Sequence, residues 1–239
     1  MPEYRLNEMP AQLPMALVEK LMHVETSTVG EVRHFGFVDR GIQPVLRRKR
    51  VAGTAVTLAL PGRDSTLLYH ALGLLRPGDV LVIDRLGDDR HACWGASVTV
   101  AAKAAGAAAG IVDGPCADLA EIEDSDFPVW GRGFSPITTR INDLGGALNH
   151  PISCGGVPVR PGDAILADDS GVLVLAPEEA EAIADAALAR QYEIKHMQDQ
   201  VRVGERLGEL TGASRLVMAG EEPRRRLVPV WSEPERMAS

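Results

Sequence analysis

The stretch IDRLGDDRHACWGASVTVAAKAAGAAAGIVDGPCADLAEIEDSD, Ile83 to Asp126, decides the fold. Its first residues close the apolar, β-branched run Val80–Asp84, which reads as a buried strand. A Gly- and Asp-rich loop follows. Trp94–Ala109 carries small apolar residues at helical spacing, with Gly106 and Gly110 near its end. Gly110–Asp113 reads as a second short buried strand, and Pro115 then permits a helix over Ala117–Glu123. Two strand ends, Asp84 and Asp113, thereby set their following loops side by side. Ligands of α/β proteins bind in loops beyond the carboxyl ends of neighbouring strands, so the functional site is expected there.

Outward from this centre, Leu13–His23 has helical spacing of apolar residues. Thr26–Phe35 reads as a second short helix, with Ser27 or Thr28 as its cap. Val51–Leu60 is a strand in which Gly53 marks a bulge or a close backbone approach. Ser65–Leu75 is a helix stopped by Arg76-Pro77-Gly78-Asp79. Beyond the centre, Pro128–Trp130 is a short strand, Gly131–Gly133 a flexible break, and Ser135–Leu148 polar and irregular. Ile152–Val159 and Ala164–Ala167 are strands, and Asp168–Gly171 forms a hairpin turn into Val172–Leu175. Pro177 opens a long helix, Glu178 to about Val201, with acidic residues in its first turn. Arg224–Ser239 reads as a charged arm. The expected organisation is an N-terminal helical segment (1–40), a β/β/α core (41–176) and a C-terminal helix with its arm (177–239).

Composition narrows the function. The 239 residues are 45% apolar but only 4% aromatic, so the core must be built from Val, Leu, Ile and Ala. A net charge of -8 argues against a nucleic-acid partner, which requires a basic face; Arg47–Arg50 is a short run that suits a solvated surface. Cys93, Cys116 and Cys154 show no metal-binding spacing, and their odd number suits a reducing compartment. Without a signal pattern or a membrane-length apolar run, the chain is expected to be soluble and cytoplasmic, with no membrane partner. No GxGxxG or GxxxxGK[ST] pattern stands at a strand–helix junction, which excludes the usual nucleotide-binding loops.

An ordered set of motifs covers roughly half of the chain by the standard of motif reading. It comprises GTAVT (Gly53–Thr57), PGDVLVID (Pro77–Asp84), WGASVTVAAKAAGAAAGIVDG (Trp94–Gly114), DLAEI (Asp118–Ile122), FPVWGRGFSP (Phe127–Pro136) and PISCGGVPVRPGDAILADDSGVLVL (Pro151–Leu175). This set resembles the family of the regulator of ribonuclease activity A (RraA). That family includes the class II pyruvate aldolases acting on 4-hydroxy-4-methyl-2-oxoglutarate, which also decarboxylate oxaloacetate.

The resemblance implies an α/β fold of the swivelling β/β/α type, with N-terminal helices and a long C-terminal helix, assembled as a homotrimer or homohexamer. It implies a divalent cation, Mg²⁺ or Mn²⁺, held largely through water by Asp118. Glu121, Asp88 and Asp89 could supplement that carboxylate. The family's carboxylate-gripping Arg falls on Ala117, and its acidic residue after Gly95 falls on Ala96. Two of three enzyme-defining side chains are therefore absent. Arg90 or His91 could restore the positive charge or an acid–base group, and are the catalytic candidates. Gly87, Asp88, Asp89, Cys93, Trp94, Gly95, Ala96 and Ala117 are the expected substrate-binding residues.

Plainer readings stand beside these. Asp118 also suits the first turn of a helix, and Cys93 and Cys116 suit small buried hydrophobes. Glu193 and Glu205 suit a charged surface. Two functions follow. One is a metal-dependent carbon–carbon lyase, of aldolase or decarboxylase type, with an altered small oxo or hydroxy acid as substrate. The other is a non-catalytic binding protein, since some members of the resembled family inhibit ribonuclease E. A methyltransferase role, attached to the family by name, finds no cofactor-binding glycine motif here.

Overall fold

Val51–Ala59 is buried along all but its last residue, so its backbone must find partners on both edges. The computed structural model, which describes residues 3–219, supplies them. The expected arm at Arg224–Ser239 lies outside the described residues. In chain order, β1 (Tyr4–Leu6), α1 (Met15–Leu21), α2 (Thr26–Gly30) and β2 (Gln43–Pro44) lead to this strand, β3 (Val51–Ala59). Helices and strands then alternate: α3 (Thr66–Leu72), β4 (Asp79–Asp84), α4 (Ala96–Ala104), β5 (Ala109–Asp113), α5 (Leu119–Ser125) and β6 (Val129–Gly131). After β7 (Gly146–Leu148) come two hairpins, β8 (Ile152–Cys154) with β9 (Val157–Val159) and β10 (Ala164–Asp168) with β11 (Gly171–Leu175). The chain ends in α6 (Pro177–Arg202), α7 (Leu207–Leu210) and α8 (Ala213–Ala219).

β3, β4, β5 and β6 are parallel neighbours, with Ala59, Asp84 and Asp113 in register at their carboxyl ends. The first half of β3 also pairs antiparallel with β10, and its end pairs with β7. Alternation of side chains sorts the core into layers. Leu58, Leu81, Ile83, Val112 and Val129 meet Leu68, Leu72, Val98, Ala102 and Ile122 of α3–α5. On the other face Val80, Val82, Ile111 and Trp130 meet Ile152, Cys154 and Val159 of the β8–β9 hairpin and Ile165 and Val174 of the next. Leu166, Leu173 and Leu175 turn the opposite way and bury Leu17, Leu21 and Val29 with Ile183, Ala184 and Ala187 of α6. The result is the expected α/β architecture with β hairpins against one sheet face and helices against the other. The long C-terminal helix is present, within a residue of its expected ends.

Local departures have local causes. Ser135–Leu148, expected to be irregular, ends in β7, and residues 4–6 add β1 beside it. The extended Ile152–Val159 run folds back on itself at Gly155-Gly156, both at positive φ. Gly53 is a close approach: a Cβ there would collide with the Gly78 carbonyl and stand 2.8 Å from Val80 Cγ2. The helix expected from Trp94 begins only at Ala96 and stops at Ala104. Its end is set by Gly106 at φ +81°. Its start is set by Trp94, which has a different task.

Trp94 is fully buried, with its ring lying on the β5 backbone at Gly110. The ring stacks on Phe127 at 6.1 Å and 12°, and its Nε1–H donates to Thr99 Oγ1 at 3.0 Å. An aromatic group this large contributes several times the burial energy of an alanine, and its polar tip is satisfied within the first turn of α4. A Cβ at Gly110 would stand 2.6 and 2.7 Å from ring atoms Cζ3 and Cζ2. We expect Gly110→Val to destabilise the protein by about 3 kcal/mol through overpacking. Denaturant titration should show the lowered midpoint, and near-ultraviolet dichroism the altered Trp94 environment; an unchanged midpoint would show that β5 and the ring are not in contact.

Candidate active site

The loops after β4 and β5 continue to pair beyond the sheet. Trp94 bridges Cys116 in parallel register, Cys116 bridges Phe134, and Ala92 bridges Thr138. The Ala117 N–H donates to the Trp94 carbonyl at 2.8 Å, and the Ala92 N–H to Ile137 at 2.8 Å. Three loops are thus laced into one wall. Between them lies a cleft of about 160 Å³, lined by Tyr69, Ala92–Val98, Ala117, Asp118, Thr138 and Thr139.

Gly95 and Asp118 define its floor. A Cβ on Gly95 would stand 2.5 Å from Asp118 Oδ2, so a side chain there would displace the carboxylate. Asp118 occupies the left-handed region at φ 55°, ψ 51°, immediately before α5. Asp tolerates this conformation at a modest cost, about 1 kcal/mol. From there Oδ2 accepts the Ala96 N–H at 2.9 Å, the first amide of α4. Asp118 therefore caps a helix that is not its own, and the sequence expectation of an α5 start at Ala117 is displaced by two residues. The next two amides of α4, at Ser97 and Val98, have no hydrogen-bond partner among the described residues. Open amides at a helix N-terminus, with the helix dipole behind them, attract anions.

The preceding half of the loop is built around a buried cation. Arg85 is fully buried. Its guanidinium donates to the Leu60 carbonyl at 3.3 Å and to the Gly62 carbonyl, and reaches Asp88 Oδ2 at 3.3 Å and the His91 carbonyl at 3.4 Å. Its Nε has no partner among the described residues. Asp88 Oδ1 accepts the Arg90 and His91 N–H groups at 2.9 and 3.2 Å, and Oδ2 lies 2.8 Å from His91 Nδ1. Burial pushes the Asp88 carboxyl up, but the donors from Arg90 and His91 outweigh it and hold the group below its ordinary value.

Of the residues expected from sequence, Cys93, Trp94, Gly95, Ala96, Ala117 and Asp118 line the cleft together. Gly87, Asp88, Asp89, Arg90 and His91 border it through Ala92 and do not line it. Burial raises the Cys93 thiol to about 11 and pushes Cys116 higher still, as expected of small buried hydrophobes rather than nucleophiles.

Sequence reading missed several contributors. Tyr69, Thr138 and Thr139 reach the cleft from segments that carry no motif. Asp64, fully buried, organises the Thr138 loop: it accepts the Thr66 hydroxyl at 2.6 Å and the Asn142 and Leu144 N–H groups at 2.9 and 2.8 Å. The strand-end acids serve the other face of the sheet. Asp84 takes the Leu86 and Ser153 N–H groups, while Asp113 takes the Gly155 N–H at 2.7 Å and pairs with Arg132 at 2.5 Å. In the stretch expected to be a break, Gly131 closes β6 and Arg132 pairs with Asp39 and Asp113.

Among the described residues no three His, Cys, Asp or Glu side chains converge as a metal cage. Asp118 is the only acidic side chain lining the cleft; it is exposed, and its Oδ1 has no protein partner among the described residues. We expect Gly95→Ala to displace this carboxylate and break its bond to Ala96, at a cost of about 1–2 kcal/mol. Hydrogen exchange at the Ala96 amide should accelerate; unchanged protection would show that the contact does not depend on glycine.

Comparison with known proteins places this cleft in context. A protein of Halalkalibacterium halodurans provisionally named 4-hydroxy-4-methyl-2-oxoglutarate aldolase is 36% identical over 150 residues, 63% of this chain and 71% of that one. The crystal structure of Streptomyces coelicolor RraAS2, described as an unusual member of the RNase ES inhibitor RraA protein family, has a TM-score of 0.70 at 29% identity. It covers 80% of this chain and 98% of its own. The RNA-processing inhibitor RraA from Thermus thermophilis has a TM-score of 0.59 at 26% identity, over 65% of this chain and 94% of its own. Among the described residues no helix is long and apolar enough to cross a membrane. The family model described as RraA-like, Aldolase/RraA, matches residues 25–174, and the chain belongs to that family.

Proposed function

We propose that this protein is a divalent-metal-dependent carbon–carbon lyase, of aldolase or decarboxylase type, acting on a small oxo or hydroxy acid. The observation that carries the reading is the pairing of an exposed Asp118 carboxylate with the open first turn of α4 across Gly95. The cleft volume of about 160 Å³ suits a small acid rather than a nucleotide-sized ligand. The Ser97 and Val98 amides can grip a substrate carboxylate, a task that Ala117 cannot perform. Asp118 Oδ1 would hold Mg²⁺ or Mn²⁺. One carboxylate with a shell of waters is within the usual donor sets of Mg²⁺, so the residues present fit the ion at the weak end of its range. When bound, the ion would supply Lewis-acid stabilisation of the developing enolate. Thr138 and Thr139 offer hydroxyls along the same wall. Buried Trp94 and Cys93 exclude water from beneath it.

The altered positions set the expected rate. A bidentate Arg–carboxylate contact is among the stronger polar interactions, and helix amides replace it only in part. Cleavage of oxaloacetate and 4-hydroxy-4-methyl-2-oxoglutarate by the unmodified protein should be weaker than a full Arg and acid set would give, by on the order of a hundredfold. Mg²⁺ or Mn²⁺ should raise the melting temperature, because an ion bound only to the folded state stabilises it, and Asp118→Asn should abolish the rise. The double change Ala96→Glu with Ala117→Arg should increase metal-dependent turnover. An undiminished melting shift in Asp118→Asn rejects Asp118 as the metal residue.

The second reading is a non-catalytic, RraA-like binding protein. Ala96 and Ala117 favour it, since they leave the cleft lining without a second acid or a cation. Turnover by neither form, with the double variant folded and still binding metal, would select it.

A homotrimer or homohexamer fits either reading. Phe134, Ile137, Ile141 and Leu144 stand exposed on the loop that borders the cleft, with Tyr69 and Val100 exposed on the neighbouring helices. Exposed apolar side chains grouped along one loop suit burial between subunits. Light scattering at micromolar concentration should give a trimeric or hexameric mass; a monomer mass overturns the assembly.

A further inference from the structure

The net charge of the chain conceals a local excess of the opposite sign. Residues 33–50 hold Arg33, Arg40, Arg47, Arg48, Lys49 and Arg50 against one acid, Asp39, a balance of six minus one, +5, in a chain of -8. The fold gathers both ends of this segment around the β10–β11 turn. A cavity of about 370 Å³ is lined there by Arg33, His34, Phe37 and Arg40, with Ser27 and Ser170, and by no carboxylate. A second cavity, of about 590 Å³, shares Ser27 and Ser170 with the first and adds Arg48, Lys49 and Arg50. The acids of the second cavity are engaged. Asp168 takes the Thr26 and Ser170 amides, Asp169 takes the Arg48 amide at 2.8 Å, and Glu25 faces Arg50 at 3.7 Å. Lys49 pairs with Asp126, whereas Arg40, Arg47 and Arg48 are exposed and have no carboxylate partner among the described residues.

Beside these cations stands a fixed aromatic surface. Phe35 is 66% exposed. Buried Arg33 holds it twice: its Nε–H donates to the Phe35 carbonyl at 3.0 Å, and its guanidinium lies 3.8 Å from the ring centroid. Arg33 is itself clamped by both oxygens of Glu179, at 2.7 and 3.0 Å. Gly36, at φ +85°, makes the bend that follows, and a Cβ there would stand 2.6 Å from the Val174 carbonyl oxygen. The Val174 amide donates to the Gly36 carbonyl at 2.8 Å, and Phe37 bridges Leu173 of β11. A single exposed apolar side chain is ordinary. One pinned from behind by a buried arginine is preorganised, so a flat group stacking on its open face costs little further ordering.

We propose that this surface, outside the cleft and independent of the lyase reading, binds a single-stranded nucleic acid. Phe35 stacks a base, and Arg40 and Arg48 take phosphates along the two cavities. Unpaired strands present both groups together, flat bases and a regular row of charges, and aromatic platforms set among cations are how proteins hold them. A duplex keeps its bases stacked inside and offers Phe35 no face. An acidic protein offers charge without flat bases.

The test uses the full chain and a fluorescein-labelled oligouridine, with binding read by anisotropy over a salt series. Affinity should fall as salt rises. Phe35→Ala should weaken binding about tenfold and leave the salt slope unchanged. Arg40→Gln with Arg48→Gln should weaken it and lower the slope by about 1.4, from about 0.7 per phosphate contact. Melting temperatures equal to that of the unmodified protein will show the variants folded. Labelled polyglutamate should bind more weakly, with no loss in Phe35→Ala. Absence of oligouridine binding at low salt overturns the proposal, and so does binding that neither variant weakens. Polyglutamate binding that Phe35→Ala weakens as much as it weakens oligouridine binding selects an acidic protein partner, and overturns it as well.

Discussion

The Trp94 ring on the bare backbone of Gly110 is the contact from which the site is assembled. β5 has β4 and β6 on its two edges, so its position is fixed by main-chain pairing. The ring lies flat on that strand and stacks on Phe127, which fixes where the loop after β4 must come down. Its indole N–H then reaches Thr99, within the first turns of α4, and sets where that helix begins. Gly95, one residue after the anchor, is thereby carried to Asp118, five residues after β5. A shift of one residue in this register would remove the Ala96–Asp118 hydrogen bond. The packing of one large aromatic residue, in a chain with few of them, thus governs a polar geometry on the opposite side of its own peptide.

A second rule runs through the loops. Almost every turn near the site is tied by an aspartate accepting backbone amides. Asp64 holds the loop before β7, Asp88 its own turn, Asp84 and Asp113 the β8–β9 hairpin, and Asp118 the start of α4. Asp168 does the same for α2, taking the Thr26 amide and hydroxyl. Charge-assisted bonds of this kind are stronger than neutral ones and leave few buried amides unpaired. Much of the acidic excess is therefore structural, and a carboxylate count says little about how many acids meet a ligand. At Asp64 the balance is explicit: burial raises its carboxyl, but the Thr66 hydroxyl and the Leu144, Asn142 and Thr66 amides together hold it below the ordinary value.

This rule also explains which parts were legible in the sequence. The parallel strands at Val80 and Ile111, the long helix from Pro177 and the Asp168–Gly171 hairpin carry strong local patterns, and each is present. Gly95, Ala96, Ala117 and Asp118 were placed together by two loops following adjacent strands. The boundaries of α4 and α5 were not legible. Trp94 has helix-compatible spacing but is spent on a tertiary contact, and Asp118 takes a left-handed conformation that no propensity favours over a helical one. Tyr69, Thr138 and Thr139 come from segments far apart in sequence, brought in by Asp64 and by the Ala92 bridge. Arg85 follows a strand like any surface residue; only the fold reveals that it is buried under Gly62 and His91.

The geometry at Asp118 differs from that of an ordinary helix cap. A helix start that served stability alone would carry Ser, Thr or Asp at its own N-cap, worth about 1 kcal/mol. At α4 that position is Gly95, and the capping oxygen comes instead from a strained residue on a different loop. The exchange satisfies one amide and leaves two, Ser97 and Val98, open to the cleft. It also brings a carboxylate with a spare oxygen to the same point. Unpaired amides and a left-handed side chain both lower stability, and they persist only where the surroundings enforce them. Here Trp94 enforces the first and the Trp94–Ala117 hydrogen bond the second. What accompanies those costs is a small cleft in which two helix amides and one carboxylate oxygen, all without protein partners among the described residues, stand close together.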